Sequence, residues 1–511
     1  MKKNIVFLIF LVLSGAACND FLDVEPDNRT EVDLSDDNVT QMLVSAYPTN
    51  TFVAITEMMS DNTDRIEEKS NYDDRSQAEF FYWMDATETD NDSPHEFWQA
   101  SYKAIAAANE TLAAIERMGS PESLNPQKGE ALLCRAYNHF ALVNVFSKHW
   151  GTTSTLDLGI PYIKTPETAV TPRYSRGTVD SVYIKIATDL EAGLPLLDDN
   201  IYTVPKYHFN RKAAYAFAAR FYLYYQKYDK AIAAAGETLG SNPSVVLRNW
   251  ATLGSTSDIE IRWNSFIDNA EPANLLLIPA TTIWAVWHGP FYNGSYYTHA
   301  TQVASQTTFS SGPWGAYTTT RFPPVNFTVG KVNTVKIGYW FEYTDPIAQI
   351  GYTHSVIPVF TTDETLLCRA EAYALNGDLD NATTDINTFL KAFTTSSGLE
   401  KEKIIKYYKD LDYYDPKQPT VKQRLNPDFP LTEDQENLIH CILHLRRILT
   451  IHEGLRWFDV KRYGIEIYRR SISRKGDITL LDSLMVDDHR RAIQLPRDMI
   501  SAGLAPNPRN K

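Results

Sequence analysis

The chain has 511 residues, 12% of them aromatic, and 63 acidic against 49 basic side chains give a formal net charge of −14. No basic stretch is interleaved with aromatics, which argues against nucleic acid as a partner. The length suits one large domain or several small ones, and only the N-terminal apolar run needs a reading other than a folded body.

That run is the first element. Lys2 and Lys3 precede nine apolar residues, 5–13, followed by Ser14, Gly15, Ala16, Ala17 and Cys18. As a helix the run rises about 14 Å, against roughly 30 Å of hydrocarbon to be crossed, so it reads as an export signal rather than a span. Small residues before a cysteine predict lipidation of Cys18 and loss of residues 1–17. Gly15 stands where a leucine is usual in such signals, and ordinary cleavage after Ala17 is the alternative. More than one acyl chain is needed for a stable anchor, so the mass of the mature protein distinguishes the two.

Residues 18–40 form an acidic tether: eight carboxylates lie between Asp20 and Asn38, with Arg29 as the one basic residue. Self-repulsion favours an extended chain there. The body, 41–511, opens with a polar turn containing Asp61, Asn62 and Asp64 and a ring-rich stretch with Phe81 and Trp83. From Phe97 on, Trp98, Tyr102, Ile105, Ala108, Leu112 and Ile115 fall on one helical stripe, which assigns Trp98 to the core. Gly119, Ser120 and Pro121 end that helix.

The string Leu132-Leu133-Cys134-Arg135-Ala136 recurs as Leu366-Leu367-Cys368-Arg369-Ala370. Ala219, Tyr222, Asp229 and Ala231 recur at one offset as Ala370, Tyr373, Asp380 and Ala382. Recurrence of this kind signals repeated units. Small alanines let antiparallel helices approach, as in tetratricopeptide repeats. The fold class expected is mainly α: tetratricopeptide-like helix pairs near 97–146, 179–239, 362–390 and 432–463, packed against an irregular, loop-rich portion with short strands. Thr432 and Gln435 fit a capping box opening the last pair. Cys134, Cys368 and Cys441 sit in apolar helical patterns; an odd count argues against a disulfide framework and for small buried residues.

An aromatic insert is expected near 243–360. Between Trp284 and Tyr343, 15 of 60 residues are Trp, Tyr or Phe, and from Thr281 to Gly330 Arg321 is the one formal charge. Gly, Ser, Thr and Asn break it into short pieces, as in loops and short strands. Such loops are expected to leave rings exposed as flat apolar faces, edged by carboxylates, amides or arginine. The expected ligand-binding set is Trp83, Asp61 and Asn62 from the first segment with Trp284, Trp287, Tyr292, Tyr296, Trp314, Tyr317 and Arg321 from the insert. On that reading Trp287→Ala or Trp314→Ala weakens binding and leaves the melting temperature unchanged. Core packing is the competing role for each ring taken singly.

No catalytic set emerges. His440 and His444 share a helix face, but Cys441 and His452 do not complete a metal-ligand pattern, and His452-Glu453-Gly454-Leu455-Arg456 lacks the second histidine of a zinc-protease helix. Glu453, Arg456, Trp457 and Asp459 lie beside Arg446, Arg447, Lys461 and Arg462, which reads as buried or half-buried ion pairing. No carboxylate spacing singles out a glycosidase pair, and no phosphate loop or nucleophile elbow occurs. No catalytic residue, metal or cofactor is expected.

Taken together, Cys18-Asn19-Asp20-Phe21-Leu22-Asp23 with Pro26, Phe97-Trp98-Gln99-Ala100-Ser101-Tyr102 with Asn109, the pair 367–387, Glu453 to Arg462, and Ile493-Gln494-Leu495-Pro496 with Asn507-Pro508 resemble the SusD/RagB family of Bacteroidetes outer-membrane lipoproteins. Leu445-Arg446-Arg447-Ile448-Leu449 departs from the Glu-Arg-Arg-x-Glu-Leu stretch usual there. The resemblance implies a surface lipoprotein that sits on a SusC-type TonB-dependent transporter and binds oligosaccharides, or in some branches peptides, without chemistry. The competing reading is a helix-repeat scaffold for another surface protein or peptide, with no glycan ligand.

Overall fold

A computed structural model describes residues 35–67, 75–167, 173–288, 296–328 and 330–509. Cys18, the signal segment, most of the tether and Tyr292 lie outside the described residues. About half of the structure is helical and its strands are few and short.

The frame is made of helices α1 (Pro94–Arg117), α2 (Asn125–Phe146), α3 (Val179–Gly193), α4 (Arg211–Tyr224), α5 (Tyr228–Leu239), α6 (Thr362–Leu375), α7 (Leu379–Phe393), α8 (Lys401–Asp410), α9 (Glu433–Leu449) and α10 (Arg456–Arg462). Their starts follow local chemistry. Ser93 caps α1 by accepting from the N–H of Glu96, with Pro94 in the first turn. Asn210 and Thr361 do the same for α4 and α6, and the Thr432/Gln435 capping box is formed in both directions on α9. α1 packs on α2, α2 on α3, α4 on α5, α5 on α6, and α6 on both α7 and α9.

The recurring strings do recurring work. Arg135 on α2 grips Asp189 of α3 with two bonds of 2.7 and 2.8 Å, and Arg369 on α6 grips Asp385 of α7 with two bonds of 2.7 Å. Gln226 and Gly377, at the same offset, both turn the chain with φ of +56° and +87° between paired helices. Asn376 then donates to Asp229 across the two turns at 2.9 Å. Cys134, Cys368 and Cys441 are free and buried.

Among the described residues, nine short strands join the frame. β1 (Asp64–Ile66), β3 (Tyr297–Thr298), β8 (Ile467–Ile472) and β9 (Ile478–Leu484) form a sheet in the order β3-β1-β8-β9. β1 runs antiparallel to β3 and parallel to β8. β2 (Asn274–Thr281), β7 (Ile350–Thr361) and β6 (Trp340–Asp345) form an antiparallel sheet with β7 in the middle, and β4 (Val325–Thr328) pairs with β5 (Lys331–Asn333). β7 runs straight into α6. Arg220 of α4 fastens that junction, donating to Glu364 at 3.1 Å and to the carbonyl of Val359 at 2.9 Å. The insert is therefore a layer of the same core: Trp250, Trp284, Trp287 and Trp314 pack in one hydrophobic cluster with Phe140, Phe217 and Phe458.

Candidate functional site

The site is built where the chain's first strand meets its middle. After the helix Val53–Met59 the chain turns through Asp61 and Asn62 into β1. Strand alternation sends Asp64 and Ile66 inward and leaves Arg65 half-buried. Arg470 of β8 clamps Asp64 with two bonds of 2.8 Å. On the other edge the N–H of Ile66 donates to the carbonyl of Tyr296 at 2.8 Å, and Asp64 and Arg65 pair with Thr298 and Tyr297. The Arg65 guanidinium lies 5.9 Å from the centre of the Tyr296 ring and donates to the Ser471 hydroxyl at 3.0 Å. Arg65, held by the buried Ser471 hydroxyl, and the half-buried Tyr296 thus set a cation beside an aromatic face on the rim of this sheet. The chain segments that continue from it, 68–74 and 289–295, lie outside the described residues and hold Tyr292.

Of the predicted set, Tyr296 falls on this rim. Asp61 and Asn62 lie at its base and are consumed by the fold. Arg456 takes both Asp61 oxygens at 2.8 and 2.9 Å, and Arg447 donates to the Asp61 carbonyl at 2.6 Å and to Asn62 Oδ1 at 2.8 Å. Burial alone would raise the Asp61 carboxyl, but the charges of Arg447 and Arg456 overcome it and hold the group well below the usual range. Asn62 Nδ2 donates to Glu57, whose carboxylate also receives the N–H groups of His452 and Gly454. Burial pushes Glu57 up to about 7.

Four tryptophans correct the expectation of exposed platforms. Trp83, Trp284, Trp287 and Trp314 are buried, Trp287 to 1% exposure. Trp83 donates to the carbonyl of Met59 at 2.8 Å and lies between the guanidiniums of Arg469 and Arg490, 4.1 and 5.3 Å from its ring centre. Trp284 donates to the carbonyl of His452 at 3.0 Å and covers the His288 ring at 3.9 Å. Trp314 packs on His444 at 5.0 Å. Each indole is walled by protein and offers no face to a ligand. The premise that Gly- and Ser-rich loops cannot bury so many rings fails because these loops run between the helical frame and the strands.

Tyr317 is exposed but stands elsewhere, edge-on to Phe309 at 5.2 Å. Arg321 is spent on the end of α7, donating from Nε to the carbonyl of Thr394 at 2.8 Å. The expected ion pairing is formed. Lys336 donates to Glu453 at 2.9 Å, and Arg462 reaches Asp459 at 2.6 Å and Glu371 at 2.7 Å. His444 contacts Ser310 through one nitrogen and the Tyr408 hydroxyl through the other, at 2.5 and 2.9 Å.

Two features were missed. One is Arg65, which the three-residue strand β1 leaves half-buried between two inward-facing neighbours. The other is a cleft of about 670 Å³ over α1, lined by Glu96, Trp98, Tyr102, Lys103, Tyr174 and Leu504 and by none of the predicted ligand residues.

Paired helices carrying small sheets are the architecture of a helix-repeat frame. Residues 20–223 match a family described as starch-binding and associating with the outer membrane, and residues 283–492 match the SusD family. No curated protein matches the sequence significantly. Among solved structures, a SusD superfamily protein from Bacteroides thetaiotaomicron superposes with a TM-score of 0.64 at 19% identity, over 93% of this chain and 100% of its own. A SusD-like carbohydrate binding protein from Bacteroides vulgatus gives 0.62 at 16%, over 92% and 96%. The chain belongs to the SusD/RagB family. Proteins of this family are outer-membrane lipoproteins, and among the described residues no helix is long and apolar enough to cross a membrane.

Proposed function

We propose that the mature protein, anchored through the lipid on Cys18 and exposed at the cell surface, captures an oligosaccharide and passes it to a SusC-type TonB-dependent transporter, catalysing no reaction itself. The observation that carries this reading is the pairing of β1 with β3. It brings the segment before the first helix pair and the mid-chain segment to one edge, with Arg65 and Tyr296 on its rim. A guanidinium beside a ring face suits a sugar, whose hydroxyls take the donors and whose C–H face takes the ring. Family membership and a carbohydrate-binding relative of the same fold support the ligand class.

The test is gel retardation with plant, host and microbial polysaccharides, followed by calorimetry on each hit. Saturable binding without product is expected, and Tyr296→Ala or Arg65→Ala is expected to weaken it about tenfold, roughly 1.4 kcal/mol. Released reducing sugar would make the protein a hydrolase. Silence towards every glycan would favour the scaffold. Loss of binding in Tyr174→Ala, with Tyr296→Ala unaffected, would move the site to the cleft over α1.

A further inference from the structure

The second ring-rich part of the insert is the hairpin of β6 and β7. β2 covers β7 only as far as the pair Thr281 and His354. Beyond it four cross-strand pairs, from Phe341 with Thr353 to Asp345 with Ile350, continue as a two-stranded ribbon. That ribbon extends about 13 Å past the third strand, at ~3.3 Å per residue. Every residue from 341 to 350 is exposed. Of the seventeen large apolar or aromatic side chains exposed among the described residues, five lie within 341–352: Phe341, Tyr343, Ile347, Ile350 and Tyr352. Ile347, at the tip, is 97% exposed. Such a patch on a soluble body marks an interaction surface.

The shape and charge of the ribbon select among occupants. Both faces carry rings: Phe341 and Tyr343, edge to face at 4.9 Å, on one, and Trp340 stacked on His354 at 5.9 Å, with Tyr352, on the other. A ribbon clothed on two sides and apolar at its tip is convex, whereas small-ligand sites are concave. It is built to enter a groove. Between Tyr339 and His354 the formal charges are Glu342 and Asp345, with no lysine or arginine, so an anionic lipid surface repels it and a basic rim suits it. A second copy of a chain with net charge −14 is disfavoured on the same ground.

We propose that the β6–β7 hairpin is a docking finger, inserted into an apolar slot rimmed by lysine or arginine on the partner transporter. This rests on the transporter reading above. The edge of β6 away from β7 is unprotected by proline or lysine, so a strand of the partner can add to it.

The test co-expresses the full chain with a SusC-type transporter of the source organism, tags the transporter, and measures the chain retained after mild detergent extraction. Ile347→Asp and Tyr343→Asp are expected to leave expression, melting temperature and glycan binding unchanged and to cut retention at least tenfold. Retention equal to wild type in both variants would overturn the docking finger while the transporter reading stands. Loss of glycan binding with retention intact would make the ribbon a ligand surface and overturn the inference. Failure of the wild-type chain to be retained would remove the transporter reading, and the finger with it.

Discussion

Two stretches of one insert, 284–314 and 340–352, are both rich in rings, yet one lies in the core and the other in solvent. Trp284, Trp287 and Trp314 sit between the helical frame and its attached strands, where His288, His444 and the backbone of His452 close over them. Phe341 and Tyr343 lie past the last residue of β2, where no further strand among the described residues covers them. Ring density therefore carries no information on exposure. A second layer over the ring decides it, and that layer is supplied by residues distant in sequence.

Substitutions should separate the two stretches sharply. Trp287→Ala removes a fully enclosed ring and is expected to cost about 3–5 kcal/mol, read from urea unfolding. A change under 1 kcal/mol would put that ring outside the core. This reverses the effect expected of the ring as a ligand platform.

Acid should act next, and again on the buried stretch. His288 and His299 are each depressed from 6.5 to about 3 by burial, and His452 is pushed well below its usual value for the same reason. Their rings lie together, with centres 6.0 and 5.5 Å from that of His452. A folded-state value below the unfolded one means the unfolded chain takes up more protons. Stability is therefore full above pH 6.5 and falls as pH drops towards 3, by about 2 kcal/mol per histidine at pH 5. Glu57 works with the opposite sign. Raised to about 7, it adds stability as pH falls from 7 towards 4.5 and offsets part of the loss. Urea midpoints at pH 7 and pH 5 give the net effect. Equal midpoints would contradict a neutral histidine cluster, and hydrogen exchange in 340–353 should change little.

Tyr343→Ala is the smallest expected effect, below about 0.5 kcal/mol, since its ring is 52% exposed. Destabilisation comparable to that of Trp287→Ala would erase the distinction between the two stretches.

The helical frame was legible because its signals are local. The period of α1, the capping box of α9 and the repeated strings of α2 and α6 each lie within one helix, and the two repeated arginines even make equivalent bonds. The ion pairing of Asp459 with Arg446 and Arg462 was legible too, because unlike charges crowd one short stretch. The fate of Asp61 and Asn62 was not. Their partners Arg447 and Arg456 lie 385 and 395 residues away, and nothing beside Asp61 distinguishes a carboxylate waiting for a guanidinium from one waiting for a sugar. Tyr296 was found from composition alone, while the strand that carries Arg65 to it is three residues long and leaves almost no periodic trace.

The parallel pairing of β1 with β8 bears on how the protein is made. Arg65 bonds to Ser471 across 406 residues, so a strand translated early remains unpartnered on that side until nearly the whole chain has emerged. Parallel contacts of such long range form slowly. A chain ending before Ser471 would lack the strand that β1 pairs with on that side and the hydroxyl that holds Arg65.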